Sequence, residues 1–347
     1  MLGLAGLAFA ACSNDDAEET ALSNVKKSVT LSIANMETPG SRSTGTATAT
    51  EDAVADVDDL TVLFVAGDDI VDYKSLKDVA AVNDNEYTFH QVDNSVKKVA
   101  IVGHYADVEA EKSLSALVTK LKDVASQQST LENIYVYGVS NQWNEIGDCK
   151  DEETGVVSKL YDAGTIEVKP FVARVEITKI GCSDLGATSP EIARYSELTL
   201  GNIVIDNFYS IVDDESKLIN YADETKWGAA TGWNVDAVGA TLTTVDPLEK
   251  TFVYNIAPGT TPRIILGITA AKFNDAAGLP GTPAVPYYVK ATSYTGADKF
   301  EAGNIYKIEY IFTCDNVKPW QPSEEICIKA VVSIAKWTIT DLTPKFE

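Results

Sequence analysis

Ile326-Cys327-Ile328-Lys329-Ala330-Val331-Val332-Ser333-Ile334-Ala335-Lys336-Trp337-Thr338-Ile339-Thr340-Asp341-Leu342 is the stretch around which the rest of the chain is read. Ile328, Ala330, Val332 and Ile334 fall on one side of an extended strand, and Lys329, Ser333 and Ala335 fall on the other. Such alternation predicts a half-buried strand. After Ile334 it slips by one residue, so that Trp337 and Ile339 carry the apolar face while Lys336, Thr338 and Thr340 become polar. The slip predicts a bulge or two short strands. Upstream, Pro319 and Pro322 lack backbone donors and have fixed φ, so Asp315 to Pro322 reads as a stiff, extended arm.

A similar stretch lies at the other end. Val29, Leu31 and Ile33 alternate with polar residues in Ser28 to Ile33, and Thr38-Pro39-Gly40-Ser41-Arg42-Ser43-Thr44-Gly45 follows with the composition of an exposed linker. Arg42 is the first arginine of the chain and Arg174 is the next. A trypsin-like protease cutting after Arg42 would therefore remove the first strand whole. Burying Val29, Leu31 and Ile33 contributes about 1.5–3 kcal/mol each, roughly 5–9 in all as an upper estimate. A whole domain has about 5–15 kcal/mol of stability. Loss of this strand would call for another in its place, which suits strand exchange between copies.

Met1 to Ala11 is an apolar run too short to span a bilayer, has the character of a signal-peptide core, and ends in small residues before Cys12. The small-small-Cys ending resembles a bacterial lipobox with Cys12 as the lipidated residue, and it implies export. The 347 residues allow about two domains plus a leader. Lys and Arg number 28 against 51 Asp and Glu, a net charge of -23 that repels phosphate backbones and argues against nucleic-acid binding. Besides Cys12 there are Cys149, Cys182, Cys314 and Cys327, with no C-x-x-C spacing for zinc. Four cysteines allow three pairings, and free thiols remain equally open.

Strand character marks Leu60 to Val65, Glu86 to Val92, Val96 to Val102, Ile134 to Val139 and Thr165 to Ile180. Between them Leu114, Leu117, Val118, Leu121 and Val124 follow helical spacing, predicting one amphipathic helix over Glu109 to Gln127. The second half gives strands at Leu198 to Ile205, Thr251 to Ile256, Arg263 to Thr269, Tyr287 to Tyr294 and Ile305 to Phe312. Gly- and Pro-rich turns separate them. Asp213 to Gly239 reads as a long surface loop. Short strands at this density argue for β-sandwiches. The Gly/Ser/Asp-rich Cys182 to Pro190 places a domain border there, which divides the chain into a leader (1–42), two domains (43–184 and 185–315) and an arm (316–347).

No catalytic signature accompanies this pattern. His90 and His104 have no Cys or second His at ligand spacing, and G-x-S-x-G, H-E-x-x-H and the P-loop are all missing. Adjacent carboxylates such as Asp58-Asp59 and Asp213-Asp214 point to opposite faces of a strand, so they make poor acid/base couples. The chain therefore reads as a non-enzyme without a cofactor or metal. Trp143, Trp227 and Trp233, with Tyr287, Tyr288 and Tyr294, offer an alternative as a sugar-stacking platform on a surface lipoprotein.

The chain resembles the major fimbrial subunits of Bacteroidales, the pilins of type V pili. The likeness is carried by the lipobox ending at Cys12, Val29 to Ile33 with Arg42 after it, Asp59 to Val65 and Val172-Ala173-Arg174-Val175-Glu176-Ile177. Phe300 to Ile308 and Val331 to Trp337 complete it. The resemblance implies a mainly β chain of two transthyretin-like β-sandwich domains, the helix in the first, with a C-terminal donor-strand extension. It implies a precursor anchored by lipid in the outer membrane and cut between Arg42 and Ser43 by an arginine-specific surface protease. Its partners would then be other copies, accessory pilins and a surface receptor, with a tip or accessory pilin as the alternative role for the chain itself. Polymers would form by inserting Ile326 to Ile339 of one copy into the groove vacated in the next.

Overall fold

The computed structural model describes residues 26–34, 57–83, 85–128, 133–221, 231–319 and 328–336; of the last segment, Val332 is the one side chain described. Its first unit comprises β1 (Lys26–Ala34), β2 (Leu60–Ala66), β3 (Asp69–Ser75), β4 (Glu86–Asp93), β5 (Lys98–Gly103), helix α1 (Leu114–Leu121), β6 (Val136–Ser140), β7 (Asn144–Lys150), β8 (Val157–Glu167) and β9 (Lys169–Pro170). Two sheets form, in the orders β4-β1-β8-β7 and β3-β2-β5-β6-β9. Val29, Leu31 and Ile33 of β1, Tyr87 and Phe89 of β4, and Ala163 and Ile166 of β8 meet Leu60, Val62, Phe64, Val99, Ile101 and Val136 of the facing sheet. The reverse face of that second sheet is covered too: Leu63, Val65, Ala100 and Val102 pack on Leu114, Leu117 and Leu121 of α1. Burial on both faces is why β2 reads as a nearly continuous apolar run rather than an alternating one.

α1 is shorter than its periodicity predicts. Ser113 caps it by accepting from the Ala116 N–H, and its Oγ donates to Asp68. The predicted flanks are irregular, with single short turns at Val108–Ala110 and Ala125–Gln127. Val124, counted on the helical face, instead joins Ile134, Val172, Val212 and Ala257 where the two units meet. Beside it the buried Gln128 amide donates to the Asn255 carbonyl (2.8 Å) and accepts the Asn255 N–H (3.0 Å).

The second unit comprises β10 (Ala173–Cys182), β11 (Tyr195–Asp206), β12 (Phe208–Tyr209), β13 (Leu218–Ile219), β14 (Val235–Leu242), β15 (Leu248–Ile256), β16 (Arg263–Phe273), β17 (Tyr287–Thr295), β18 (Asn304–Phe312), β19 (Lys318–Pro319) and β20 (Ile328–Lys336). One nine-stranded sheet runs β14-β11-β16-β17-β20-β18-β10-β15, with β19 added on β17. Its two ends, β14 and β15, come into contact, and Lys250 reaches from β15 to the carbonyls of Ala237 and Val238. The sheet thus rolls around one core of apolar side chains, which includes Val175, Leu200, Ile205, Tyr254, Leu266, Tyr306 and Val332.

Several expectations are corrected by this sheet. β10 pairs with β15 and β18, while β9 just before it pairs with β6 of the first unit. The border therefore lies at Phe171–Val172, ahead of Cys182 to Pro190, which is a turn inside the second unit with Leu185 buried. Composition marked a turn there but could not say which sheet owned the strand before it. The predicted strand Thr165 to Ile180 is in fact the end of β8, then β9, then β10. Within the predicted loop Asp213 to Gly239, residues 218–219 and 235–239 belong to strands, with Val238 buried. β20 takes an interior place in its own subunit's sheet, between β17 and β18.

Candidate functional site

The two terminal strands form the candidate site, and both are threaded between neighbours. β1 runs antiparallel to β4, with Val29 opposite Phe89 and Leu31 opposite Tyr87, and parallel to β8, with Val29 opposite Tyr161. Removing it would leave two sheet edges facing each other across an empty strand position. Val29, Leu31 and Ile33, the three residues of the proposed leader strand, are all buried in the inter-sheet core.

Sequence reasoning missed the polar half of β1. Lys27 is 1% exposed; its ammonium donates to the carbonyls of Asn94 (2.9 Å) and Val96 (2.5 Å). It also lies 4.5 Å from the Trp143 ring centroid and 5.0 Å from that of Tyr161. Burial pushes its pKa down to about 8, helped by Lys97 and opposed by Asp93. Ser28 Oγ lies 2.8 Å from His90 Nδ1 and 2.8 Å from Ser158 Oγ, tying β1 to β4 and β8 at once. Lys26 pairs with Asp93 at 3.2 Å. Two consecutive lysines beside an apolar stretch read as solvated charge, and the signal that could have placed Lys27 is distant: Trp143 and Tyr161, whose rings stack at 5.6 Å.

β20 has the same mixed environment. It is parallel to β17, from Ala291 opposite Ile328 to Thr295 opposite Val331. It is antiparallel to β18, from Glu309 opposite Val331 to Asn304 opposite Lys336. Val332 is buried in the core of the second unit. Pairing with β18 runs without a shift through Ile334, Ala335 and Lys336, so the predicted slip does not disturb the strand as far as Lys336. Trp337 and Ile339 lie outside the described residues. Gly296 sits against the strand with φ +102°, and a Cβ there would stand 3.0 Å from the Val332 carbonyl oxygen. Only a residue without a side chain fits both the backbone and the close approach. The predicted extended arm opens instead on a short helical turn, Cys314–Asn316, because Thr313 and Asn316 cap each other there, and only then do Lys318 and Pro319 pair to Tyr288 and Tyr287.

The two strands also share sequence that the alternation alone did not disclose. Ser32-Ile33-Ala34 recurs as Ser333-Ile334-Ala335. Aligned on it, Val29, Leu31 and Ile33 correspond to Ala330, Val332 and Ile334, the apolar face predicted for the C-terminal strand. Lys27 then corresponds to Ile328.

Other candidates take defined places. Cys12, Arg42 and Ser43 lie outside the described residues, as do Trp227 and Cys327. His90 is engaged by Ser28, and His104 Nδ1 bonds the Ile134 carbonyl oxygen at 2.8 Å. Among the described residues the aromatic platform is not assembled: Trp143 packs over Lys27, Trp233 packs against Phe208, and Tyr287, Tyr288 and Tyr294 are buried. Among the described residues, one group could hold a metal ion: Cys182, Asp184 and Cys314, with ligand atoms within 4.8 Å of one another.

No family model and no curated protein matches the sequence. Among solved structures, the chain is similar to a protein of Parabacteroides distasonis provisionally described as a cell adhesion protein (14% identity, 90% of this chain and 100% of that one, TM-score 0.48). It is similar also to a fimbrilin of Porphyromonas gingivalis (11% identity, 92% and 99%, TM-score 0.47). A Bacteroides eggerthii protein, again provisionally described as a cell adhesion protein, matches over 90% of this chain and 97% of its own at 15% identity, with a TM-score of 0.51. At that identity the likeness is one of fold, and the chain shares the fold of the Bacteroides eggerthii protein over 90% of its length.

Proposed function

We propose that the chain is a structural subunit of a cell-surface fimbria that supports adhesion and polymerises by strand exchange. The observation that carries this is the pair of terminal strands, each interior to a sheet with one parallel and one antiparallel neighbour, whose sequences share the same apolar alternation. Proteolysis between Arg42 and Ser43 releases β1. The opened groove then accepts β20 of another copy, with Ala330, Val332 and Ile334 taking the places of Val29, Leu31 and Ile33. Main-chain bonds to β4 and β8 supply affinity, and the alternate pockets set register. A head-to-tail contact of this kind does not close on itself and generates a filament.

On the same reading, Cys12 carries the lipid that anchors the precursor in the outer membrane, and accessory pilins join by the same insertion. The chain is then not an enzyme and uses no cofactor. Names printed for the similar structures, cell adhesion protein and fimbrilin, agree with this role.

Mild trypsin digestion of the precursor, followed by intact mass and electrophoresis of unboiled samples, tests it. Cleavage confined to Arg42–Ser43 with a ladder of heat-labile oligomers is expected, and the ladder should vanish when 326–347 is deleted. A clipped but strictly monomeric product would contradict the proposal.

A further inference from the structure

Cys182 ends β10 and Cys314 opens a short turn of helix just after β18. β10 and β18 are parallel neighbours with Cys182 opposite Phe312, which places the two sulfurs 3.7 Å apart. Both residues are buried, at 0% and 2% exposure. Asp184 Oδ1 organises the pair by accepting the Cys314 N–H (2.7 Å) and the Cys182 thiol (3.2 Å). Two sulfurs at this separation are in van der Waals contact, and rotation of the side chains is what separates contact from a bond of about 2.05 Å.

We infer that Cys182 and Cys314 are the native disulfide pair of this protein, and that the bond fastens the root of the C-terminal arm to β10. Among the described cysteines this is the pair in contact. Cys149 lies on β7 in the other unit.

The chemistry is exchange with a disulfide oxidant, either a protein disulfide or oxidised glutathione. One thiolate attacks the oxidant to form a mixed disulfide and expels a thiol. The second thiolate then displaces the other half, so the oxidant leaves as two thiols carrying the two electrons and two protons. Contact with Cys314, then burial and Asp184, push the Cys182 thiol far above its ordinary pKa, and both sulfurs are buried out of an oxidant's reach in the finished fold. The bond therefore closes while the second unit is folding rather than afterwards.

The position gives the bond a use. Val317 is buried, and Lys318 and Pro319 pair with β17 on the way to β20. If β20 links one subunit to the next, which rests on the function proposed above, tension on the filament arrives at this turn. A bond to β10, itself held between β15 and β18, spreads that tension over a second strand instead of leaving it on the end of β18.

The test uses the full chain, reduced and unfolded, then refolded in a glutathione redox buffer, alkylated and analysed by intact mass and peptide mapping. The expected product is lighter than the all-thiol form by two hydrogens and carries one linked peptide pair holding Cys182 and Cys314. Its thermal midpoint should stand roughly 10 °C above that of the reduced protein. The folded, reduced protein should form the bond far more slowly than the refolding one. Alkylation of both residues after refolding would overturn the inference. So would linkage of either to Cys149 or Cys327, or retention of zinc by the two thiols until a chelator removes it. None of these readouts depends on polymerisation, so a chain that forms the bond yet stays monomeric after clipping would sink the fimbrial role and leave the disulfide standing.

Discussion

β1 and β20 occupy equivalent settings, interior to a sheet with one neighbour parallel and one antiparallel, but they are held there by different means. β1 combines an apolar half, Val29 to Ile33, with a polar half in which Lys27 and Ser28 are fully buried and satisfied by Asn94, Val96, His90 and Ser158. Alignment on Ser-Ile-Ala puts Ile328 where β1 has Lys27, so the C-terminal strand matches the apolar half of β1 but has no counterpart to the lysine's contacts. Buried polar contacts of this sort are costly to leave half-made. The difference teaches that two strands can share an apolar alternation while buried polar contacts mark the groove of the first unit for β1.

The largest effect expected from breaking this symmetry is at Leu31, which is 1% exposed in the inter-sheet core. Leu31→Ala should destabilise the precursor by about 2–5 kcal/mol in urea unfolding, and should be silent in oligomers of the clipped protein, from which β1 has gone. Next comes Gly296→Ala, which sets a Cβ at positive φ against the backbone of β20. It should cost the second unit about 1–3 kcal/mol, while speeding assembly of the clipped protein because β20 is held less firmly at home. Ala330→Val restores at the aligned position the side chain that β1 has at Val29. It should strengthen heat-labile oligomers by about 1–2 kcal/mol, measured as the temperature at which the ladder collapses.

The smallest effect concerns the turn that receives Lys26. Asp93 is held down at about pKa 2 by the side chain and backbone N–H of Ser95, with Lys26 adding less. Its folded pKa lies below its unfolded value, so its contribution is complete above about pH 4 and is lost as pH falls through about 2. Asp93→Asn should flatten that acid limb in the precursor. Clipping should flatten it only slightly, because Ser95 stays when Lys26 leaves.

Strands with a strong apolar pattern were legible: β2, β4, β5, β11 and β15 to β18 were all anticipated near their true places. β3 and β7 were not, because their side chains are largely exposed and β7 has no buried residue to mark a face. β14 was hidden in an apparent loop for the same reason, with Val238 and Leu242 its only buried positions. Both terminal strands showed in the sequence, but their neighbours could not. That Val29 meets Phe89 on one side and Tyr161 on the other depends on pairings far apart in the chain, which no local period records. The burial of Lys27 was illegible for a related reason, since a lysine is buried only where distant groups satisfy it.

Hydrogen exchange on the clipped protein before and after assembly tests strand exchange most directly. In the clipped monomer, amides of β4 and β8 that face β1 should exchange freely while those of β17 and β18 stay protected by β20. In oligomers the account predicts the reverse: β4 and β8 protected again, and the β20-facing edges of β17 and β18 opened. Oligomers in which β17 and β18 remain protected and β4 and β8 stay open would contradict it.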